Sequence, residues 1–209
     1  MSNISTPYPG DEIVIDPLIK LTYHIDIESA PEIIWPWLVQ VGYHRGGWYI
    51  DKWTDRIEQQ YFWPLLVPKE ARGNWQPPAD EILEEYQDLK MGDRIPDGPP
   101  GSAHYDVVGL EPDRFLILHA TTHIKYLAPG FLKGTRFEPA GEWSWSFILD
   151  PITPTTTRLI SRWRGKGEPR FYMNIIKPFI MLIDRHQQRE ILKGIKRRVE
   201  RTHHQSITG

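Results

Sequence analysis

The sequence predicts an α+β protein in which a curved antiparallel β-sheet wraps around a long C-terminal α-helix. A segment with period-two alternation opens the domain, four further strand segments, two of them alternating, follow residue 104, and a helical pattern runs from residue 174 to 203. Strands that are separated along the chain from the helices are typical of the α+β class. A strongly curved sheet around one long helix would leave an apolar space between them.

The overall composition bounds the domain count and the class of partner. With 209 residues the chain suits one large domain, which we place at residues 18–205 after a Pro- and Gly-punctuated arm at 1–17. A net charge of −2 supplies no broad basic field, so we expect no nucleic-acid partner. The lack of cysteine removes disulfides and thiolate metal sites.

The N-terminus and the longest apolar stretch bear on location. The first residues show no basic region followed by an apolar core, as a secretory signal would. The longest apolar stretch, residues 175–183, is far shorter than the roughly 20 residues that span a bilayer. Together with the missing cysteines, these features favour a cytoplasmic protein. The oligomeric state is not indicated.

The pattern after residue 29 predicts the first helix. Ser29 and Glu32 have the spacing of a capping box, and Pro31 falls in the first turn, where its missing N–H costs little. Pro36 should bend this helix, and Gly42 is a natural stop. Before it, residues 20–29 alternate as a half-buried strand.

Two shorter helices and an excursion are predicted between the first helix and the later strands. Residues 50–63 favour a second short helix. Residues 64–103 are rich in proline, glycine and charge, and we interpret them as a long excursion with a short helix at residues 79–89.

The final helix carries two apolar stripes that are rotated around its axis. The first contains Ile176, Phe179, Ile180 and Ile183, and the second contains Ile191, Leu192, Ile195 and Val199. The segment between them, residues 184–190, is polar in every direction, so the helix must change what it contacts halfway along. Gly194 indicates a close approach to a neighbouring element.

Several sequence segments resemble one known superfamily. These are APEIIWPWLVQVGYHRGGWYIDKW from residue 30, LKMGDRIP from 89, VVGLEPDRFLIL from 107, TRLISRWR from 157 and LKGIKRRVE from 192. Together with the order of elements, they resemble the START-like (SRPBCC) superfamily, the helix-grip fold of lipid-transfer domains, the birch pollen allergen and polyketide cyclases. The resemblance covers roughly residues 10–200. It implies the fold and an internal cavity, with two short helices near one mouth, and it supplies no shared catalytic motif.

The segment from residue 41 to 53, VGYHRGGWYIDKW, carries four large rings where a turn needs only a glycine and polar residues. In a helix-grip fold these rings either contact a ligand near the mouth of the cavity or plug the junction between helices and sheet. The predicted ligand-binding residues, here and elsewhere, are Trp37, Tyr43, His44, Trp48, Tyr49, Trp53, His119, Trp143, Trp145, Arg162, Ile180, Ile183 and Gln187.

Three polar positions leave alternatives open. Arg158, Arg162 and Arg164 alternate along one strand face, which is either a solvated outer face or a row from which Arg162 points inward to hold a carboxylate or phenolate. Glu142 could neutralise a neighbouring arginine across the sheet. Gln187 either meets the polar end of a ligand or faces solvent.

The sequence contains no recognised catalytic motif and no predicted metal or cofactor site. His119 and His123 would lie roughly 13 Å apart on a strand, too far apart to share one zinc. No P-loop, GxGxxG or GxSxG pattern is present.

Three function hypotheses follow. The first is a binding protein that encloses a small hydrophobic or aromatic ligand, such as a lipid or a polyketide-like molecule, in its cavity. The second is a cyclase, dehydratase or hydrolase on the same cavity, with His44, His119 or Glu142 as acid/base candidates. The third is a lipid-handling protein that contacts membranes through residues 175–183.

Overall fold

The computed structural model describes residues 7–50, 53, 76–127 and 130–208. Its strands are β1 (Ile19–Ile27), β2 (Arg94–Pro96), β3 (His104–Glu111), β4 (Phe115–Ala120), β5 (Ala140–Thr153) and β6 (Thr156–Glu168). Its helices are α1 (Pro31–Val39), α2 (Ile124–Leu127) and the long α3 (Arg170–Thr208), with single 3-10 turns at Glu84–Tyr86 and Gly130–Leu132. The predicted α+β class with a long C-terminal helix is confirmed.

All six strands form one antiparallel sheet in the order β1-β6-β5-β4-β3-β2. Its two longest strands, β5 and β6, form a hairpin in which Trp145 pairs with Trp163 and Phe147 with Ser161. The Ser161 hydroxyl donates a hydrogen bond to Gln188 of α3. Because alternate residues of a strand share a face, Trp145, Phe147, Ser161 and Trp163 are on the side of the sheet that faces the long helix. We call this side the inner face and the opposite side the outer face.

The N-terminal arm lies over the outer face of the sheet. A Cβ on Gly10 would come within 2.4 Å of Ser146 Oγ, so the backbone touches the sheet directly at this point. Asp11 forms ion pairs with Arg162 and Arg164, and the carbonyl of Val14 accepts a bond from Arg164 at 3.0 Å. The arm therefore covers strand positions that would otherwise face water.

The start of α1 differs from the predicted capping box. The N-cap residue is Ala30 and makes no side-chain cap bond, while the buried Ser29 hydroxyl has no hydrogen-bond partner among the described residues. The carbonyl of Ser29 instead accepts a bond from the Thr157 hydroxyl at 2.8 Å. Contact with β6 thus fixes the entry to the helix, and Pro31 takes the first turn as expected.

The predicted helix at residues 79–89 is reduced to one 3-10 turn. The buried Gln40 side chain explains the difference, because its amide donates to the Glu81 carbonyl and its oxygen accepts from the Leu83 N–H. Arg198 Nε also donates to the Ala79 carbonyl at 2.7 Å. These side chains occupy backbone groups that a helix would need. The predicted helix at residues 50–63 lies outside the described residues except at Ile50 and Trp53.

The two halves of α3 have different surroundings, as the rotated stripes predict. The stripe of Ile191, Leu192, Ile195 and Val199 is buried in the main core. Gly194 lies against residue 49, where an added Cβ would be 1.9 Å from the Tyr49 carbonyl oxygen, so the predicted close approach is confirmed. The first half of the helix is much more accessible.

Candidate functional site

The inner face of the sheet is lined by a cluster of rings. Trp48 stacks on Trp145 with centroids 5.0 Å apart, and Tyr105 meets Trp145 edge-on at 5.7 Å. Trp143 lies 5.2 Å from Trp163 on the neighbouring strand. Offset and edge-to-face arrangements of this kind are the favourable ones for aromatic pairs. The cluster forms an aromatic wall on the side of the sheet that faces α3.

Several apolar side chains between β1 and the first half of α3 are only partly buried. Leu21, Tyr23 and Ile25 pair with inner-face residues of β6, yet they are only half-buried. Ile176 and Ile180 of α3, which pack against the same core, are also half-buried. The interior is therefore less completely covered at this edge than in the middle of the sheet.

A chain of hydrogen bonds crosses the interior from the sheet to α3. Trp145 Nε1 donates to Ser161 Oγ at 2.8 Å, and the Ser161 hydroxyl donates to Gln188 Oε1. Gln188 Nε2 then donates to Asp184 Oδ1 at 3.2 Å. Each donor points toward the carboxyl group, so Asp184 is the terminal acceptor.

Two buried polar atoms beside this chain have no hydrogen-bond partner within the described part of the protein, namely Asp184 Oδ2 and Trp143 Nε1. Burial raises the pKa of Asp184 to about 7, and the bond from Gln188 opposes this shift. A buried carboxyl oxygen without a partner loses its hydration and gains nothing in return. Asp184 therefore offers one free acceptor, while the buried Trp143 N–H has the Tyr105 hydroxyl beside it, whose burial-raised pKa it lowers.

Tyr105 lies between these groups and the second polar pair of the interior. Burial raises its pKa well above the ordinary value, the charges of Asp97 and Asp184 add to the shift, and the nearby Trp143 N–H opposes it. His123 lies with its ring 4.6 Å from Tyr105, and its Nε2 is 3.0 Å from Asp97 Oδ2. We call Tyr105, Trp143, Trp145, Asp184 and Gln188 the interior site.

The ring-rich segment predicted to surround the mouth is divided between two roles. Tyr49 is fully buried, packs edge-on against Trp37 at 5.9 Å, and donates its hydroxyl to the Trp37 carbonyl at 2.8 Å. These two rings pack against each other beside α3, and ligand contact by either of them stays a prediction. Trp48 reaches the interior and stacks on Trp145.

The remaining rings of that segment lie near the surface. The ring centroids of Tyr43 and the exposed His44 are 4.2 Å apart. Together with Trp48, Pro77 and Pro78, these two residues line a small pocket of about 60 Å³. Trp53 is exposed. Of the candidates on α3, Ile180, Ile183 and Gln187 are half-buried.

His119 and Glu142 lie together on the outer face, away from the rings. His119 Nε2 is 2.9 Å from Glu142 Oε2, and Lys166 Nζ is 2.9 Å from Glu142 Oε1. The hydrogen bond from Lys166, with a smaller contribution from His119, lowers the pKa of Glu142 despite partial burial. Glu142 thus pairs with a lysine and a histidine, not with the arginine considered from the sequence.

A cleft of about 570 Å³ lies between the N-terminal arm and the adjoining ends of β5 and β6. Glu142, Lys166, Glu168 and Arg170 are among its lining residues. Its size suits a small molecule. However, Lys166 is paired with Glu142, and Arg170 lies 3.9 Å from Glu168. The cleft therefore offers less to anchor a ligand than the interior site does.

Arg162 does not take the inward orientation considered from the sequence. It lies on the outer face, where its Nε and Nη2 donate to the two carboxylate oxygens of Asp11 at 2.6 and 2.9 Å. Arg164 joins the same carboxylate at 3.2 Å, so this part of the row is covered by the arm and is not solvated. Arg158, bonded to Asp26, remains closer to the solvated-face interpretation.

Asp184, Gln188, Ser161 and Tyr105 were not singled out from the sequence. Ser161 shares a strand face with Trp163, but a serine among large side chains gives no specific signal. The helical spacing from Ile180 through 184, 188 and 191 to 195 would have placed Asp184 and Gln188 inward. Sequence reasoning chose the adjacent Gln187 instead.

The described ranges show neither a metal-binding cluster nor a membrane-spanning helix. There, no group of three or more His, Asp or Glu side chains could hold a metal ion. No described helix is both long and apolar enough to cross a bilayer.

The chain is similar in structure to several solved proteins at low sequence identity. Protein MLL2253 from Mesorhizobium loti shares 17% identity, with 88% of this chain and 98% of that one covered and a TM-score of 0.44. Norcoclaurine synthase from Thalictrum flavum shares 12%, covering 88% and 95%, with a TM-score of 0.46. DynU16, a putative protein in the dynemicin biosynthetic locus, shares 12%, covering 87% and 47%, with a TM-score of 0.39.

No protein-family model matches this chain, and no curated protein matches it by sequence. The structural likenesses transfer no residue role to this chain. Its function is therefore inferred from its own side chains.

Proposed function

We propose that this protein binds a small, largely apolar ligand between the inner face of the sheet and the first half of α3. The observation that carries this proposal is the accessible apolar lining, with Leu21, Ile25 and Ile180 half-buried beside the interior site. Transfer of an apolar body from water onto such a lining is favourable at roughly 25 cal/mol per Å². The aromatic wall favours a ligand that contains a ring.

The architecture is consistent with the START-like resemblance of the sequence, in which the space between sheet and long helix holds the ligand. The acid/base alternative receives less support, because His119 and Glu142 pair with each other on the outer face and His44 is exposed. Binding without chemical conversion is the function that these contacts support best.

Filling the interior with a large side chain should weaken binding at least tenfold, whereas adding the same side chain on the exposed side of α3 should not. We expect 2-naphthylmethanol to quench the tryptophan fluorescence of the wild type, and Ile180→Trp to weaken its binding at least tenfold by occupying the space. Phe179→Trp is the matched control, because residue 179 is adjacent on α3 but largely exposed. Fluorescence titration, with near-UV circular dichroism as a check of folding, measures both.

The absence of binding to the wild type at millimolar probe would contradict the proposal. Equal affinities of the two tryptophan variants would contradict the location.

A second function, docking to an anionic membrane, is favoured by an exposed apolar stripe on α3. Phe171, Ile175, Phe179 and Leu182 are 60%, 64%, 67% and 71% exposed, and their spacing puts them on one helix face. We call these four residues the apolar face of α3. A contiguous exposed apolar surface on a soluble domain marks an interaction site more often than chance would give.

Cationic and further apolar side chains adjoin this face. Arg185 and Arg189, both exposed, continue the same side of the helix beyond Leu182. Ala140 pairs with Glu168, so the loop before β5 leaves the sheet at the end where α3 begins. That loop carries the exposed Phe131 and Phe137, together with Lys133 and Arg136.

Apolar side chains flanked by cations match the boundary between acyl chains and anionic head groups. A second copy of this chain would bring its own arginines toward these, at an electrostatic cost. We therefore assign the apolar face of α3 to an anionic bilayer surface.

Removing two apolar side chains should weaken docking without loss of folding. We expect the double change Phe179→Ser and Leu182→Ser to lower the partition into vesicles of phosphatidylserine and phosphatidylcholine at least tenfold. Ile152→Ser, an exposed apolar position at the turn between β5 and β6, should leave it unchanged. Vesicle co-sedimentation at low and high salt measures both, and raised salt should weaken binding.

Failure of the wild type to bind anionic vesicles would overturn the membrane assignment. A wild-type dimer that the double variant dissociates would assign the face to a second copy instead.

A further inference from the structure

The hydrogen-bond chain of the interior has a fixed direction. The Trp145 indole can only donate, so the Ser161 oxygen accepts from it and the Ser161 hydroxyl donates to Gln188. That bond uses the Gln188 oxygen and leaves its amide N–H to donate to Asp184 Oδ1. Every link therefore ends at the carboxyl group of Asp184, which has Oδ2 still unfilled.

We propose that the interior ligand presents a hydrogen-bond donor, a hydroxyl or a protonated amine, to Asp184 Oδ2, and that the site rejects carboxylates. This inference rests on the proposed binding function and names the chemistry of its ligand. An ionised carboxyl group can only accept, so its free oxygen selects a donor. An anionic head group would instead meet a like charge in a poorly hydrated space.

The position of the arginines reinforces the selection. The sequence allowed an inward Arg162 that would hold a carboxylate or phenolate. In the structure, Arg162 and Arg164 are both bonded to Asp11 of the arm, on the other side of the sheet. The interior site thus carries the carboxyl group of Asp184, whereas the sequence allowed the cation of Arg162 there. The expected charge of the ligand's head group is therefore reversed.

Trp143 Nε1, which lies beside the Tyr105 hydroxyl, is a second buried polar group of the same interior and can only donate. A hydroxyl group donates to Asp184 and keeps lone pairs that can accept a further hydrogen bond. A protonated amine satisfies Asp184 alone but adds a charge-assisted bond, which is roughly twice as strong as a neutral one. Both classes should therefore bind, and a carboxylate should not.

The groups around Asp184 determine how this preference responds to pH. Burial raises the pKa values of Tyr23 of β1 and Tyr105 of β3, and the negative charge of Asp184 raises both further. The positive charges of Arg185 and Arg189 of α3 lower the pKa of Tyr23, and the charge of Asp97 raises the pKa of Tyr105. Asp184 is therefore expected to be the group that titrates near neutrality, and amine binding should strengthen as the pH rises from 5.5 to 8.5.

Three probes with one ring system and different head groups test the inference. These are 2-naphthylmethylamine, 2-naphthylmethanol and 2-naphthoate, titrated into the 209-residue protein at pH 8 by calorimetry. We expect the amine and the alcohol each to bind at least tenfold more tightly than the carboxylate. Equal affinity of all three probes, or preference for the carboxylate, would overturn the inference.

The substitution Asp184→Asn removes the negative charge of this side chain and keeps its shape. We expect this variant to lose at least tenfold in amine affinity, to lose the pH dependence, and to narrow the gap between amine and carboxylate. Asp150→Asn, an exposed carboxylate on β5, is the matched control and should change neither. An unchanged amine affinity in Asp184→Asn would contradict the role of Asp184.

The proposed function and this inference fail in different ways. If no naphthyl probe binds the wild type, the interior is not a ligand site and both fall. If the probes bind with one affinity whatever the head group, the binding function survives and only the role of Asp184 is lost.

Discussion

Replacing Asp184 by asparagine is expected to stabilise the unliganded protein by about 2–4 kcal/mol at pH 8. The pKa of this carboxyl group is raised from 3.8 to about 7 by burial. Because the folded pKa lies above the unfolded one, the folded state holds its proton more tightly. Its contribution to stability is fully present below pH 4 and is lost as the pH rises through about 7. Asparagine keeps an acceptor for Gln188 and carries no charge, so it avoids this loss.

Denaturant unfolding of wild type and Asp184→Asn across pH 4 to pH 8 measures the effect. The stability difference should grow steadily with pH and level off above neutrality, whereas Asp150→Asn should show no such trend. A constant difference across this range would mean that Asp184 is not a buried, weakly acidic group. Such a cost without an evident structural gain is what a binding residue would show.

Replacing Gly194 by alanine is expected to destabilise the protein by about 2–4 kcal/mol. An alanine Cβ would lie 1.9 Å from the Tyr49 carbonyl oxygen and 2.9 Å from its carbonyl carbon. Neither atom can rotate away, because Tyr49 is fully buried, has a φ of 60° and is bonded to Trp37. The helix and the segment before residue 50 must separate for the methyl group to fit.

The sign of this change makes it a sharp test. In a helix interior without a clash, glycine to alanine stabilises by about 0.5–1 kcal/mol through helix propensity. Asn174→Ala, at an exposed position of the same helix, should stay within about 0.5 kcal/mol of the wild type. A stabilised Gly194→Ala protein would show that α3 does not pack against Tyr49 as described.

Much of the fold could be predicted because it depends on local patterns. Period-two alternation located β1, β5 and β6, and the two rotated stripes predicted that α3 changes its contacts near residue 184. These patterns record which face of an element is buried, which is a property of the segment itself. Gly194 was identifiable for the same reason, since a glycine inside a buried stripe indicates close contact.

The errors arose where distant segments decide local structure. Gln40 occupies backbone groups of residues 81 and 83, so the pattern at 79–89 did not become a helix. Arg162 is bonded to Asp11, about 150 positions earlier in the chain, and no periodicity within β6 could indicate that partner.

The site was predicted in part for related reasons. Trp48, Trp143 and Trp145 were named as ligand-binding residues and are found together in the interior cluster, although ligand contact itself remains a prediction. Asp184 was placed in a segment described as polar on all sides. Its inward direction depends on the helix phase relative to Ser161, which only the packing of α3 on the sheet defines.

The most direct test of ligand binding at the interior site is the set of tryptophan indole N–H signals in a nitrogen–proton NMR spectrum. Trp143 and Trp145 can be assigned by their phenylalanine variants, and 2-naphthylmethanol serves as the probe. The account predicts the largest shift for the Trp143 signal, whose N–H gains a partner, and a smaller shift for Trp145. Probe binding that leaves both signals unmoved, or no binding at all, would contradict it.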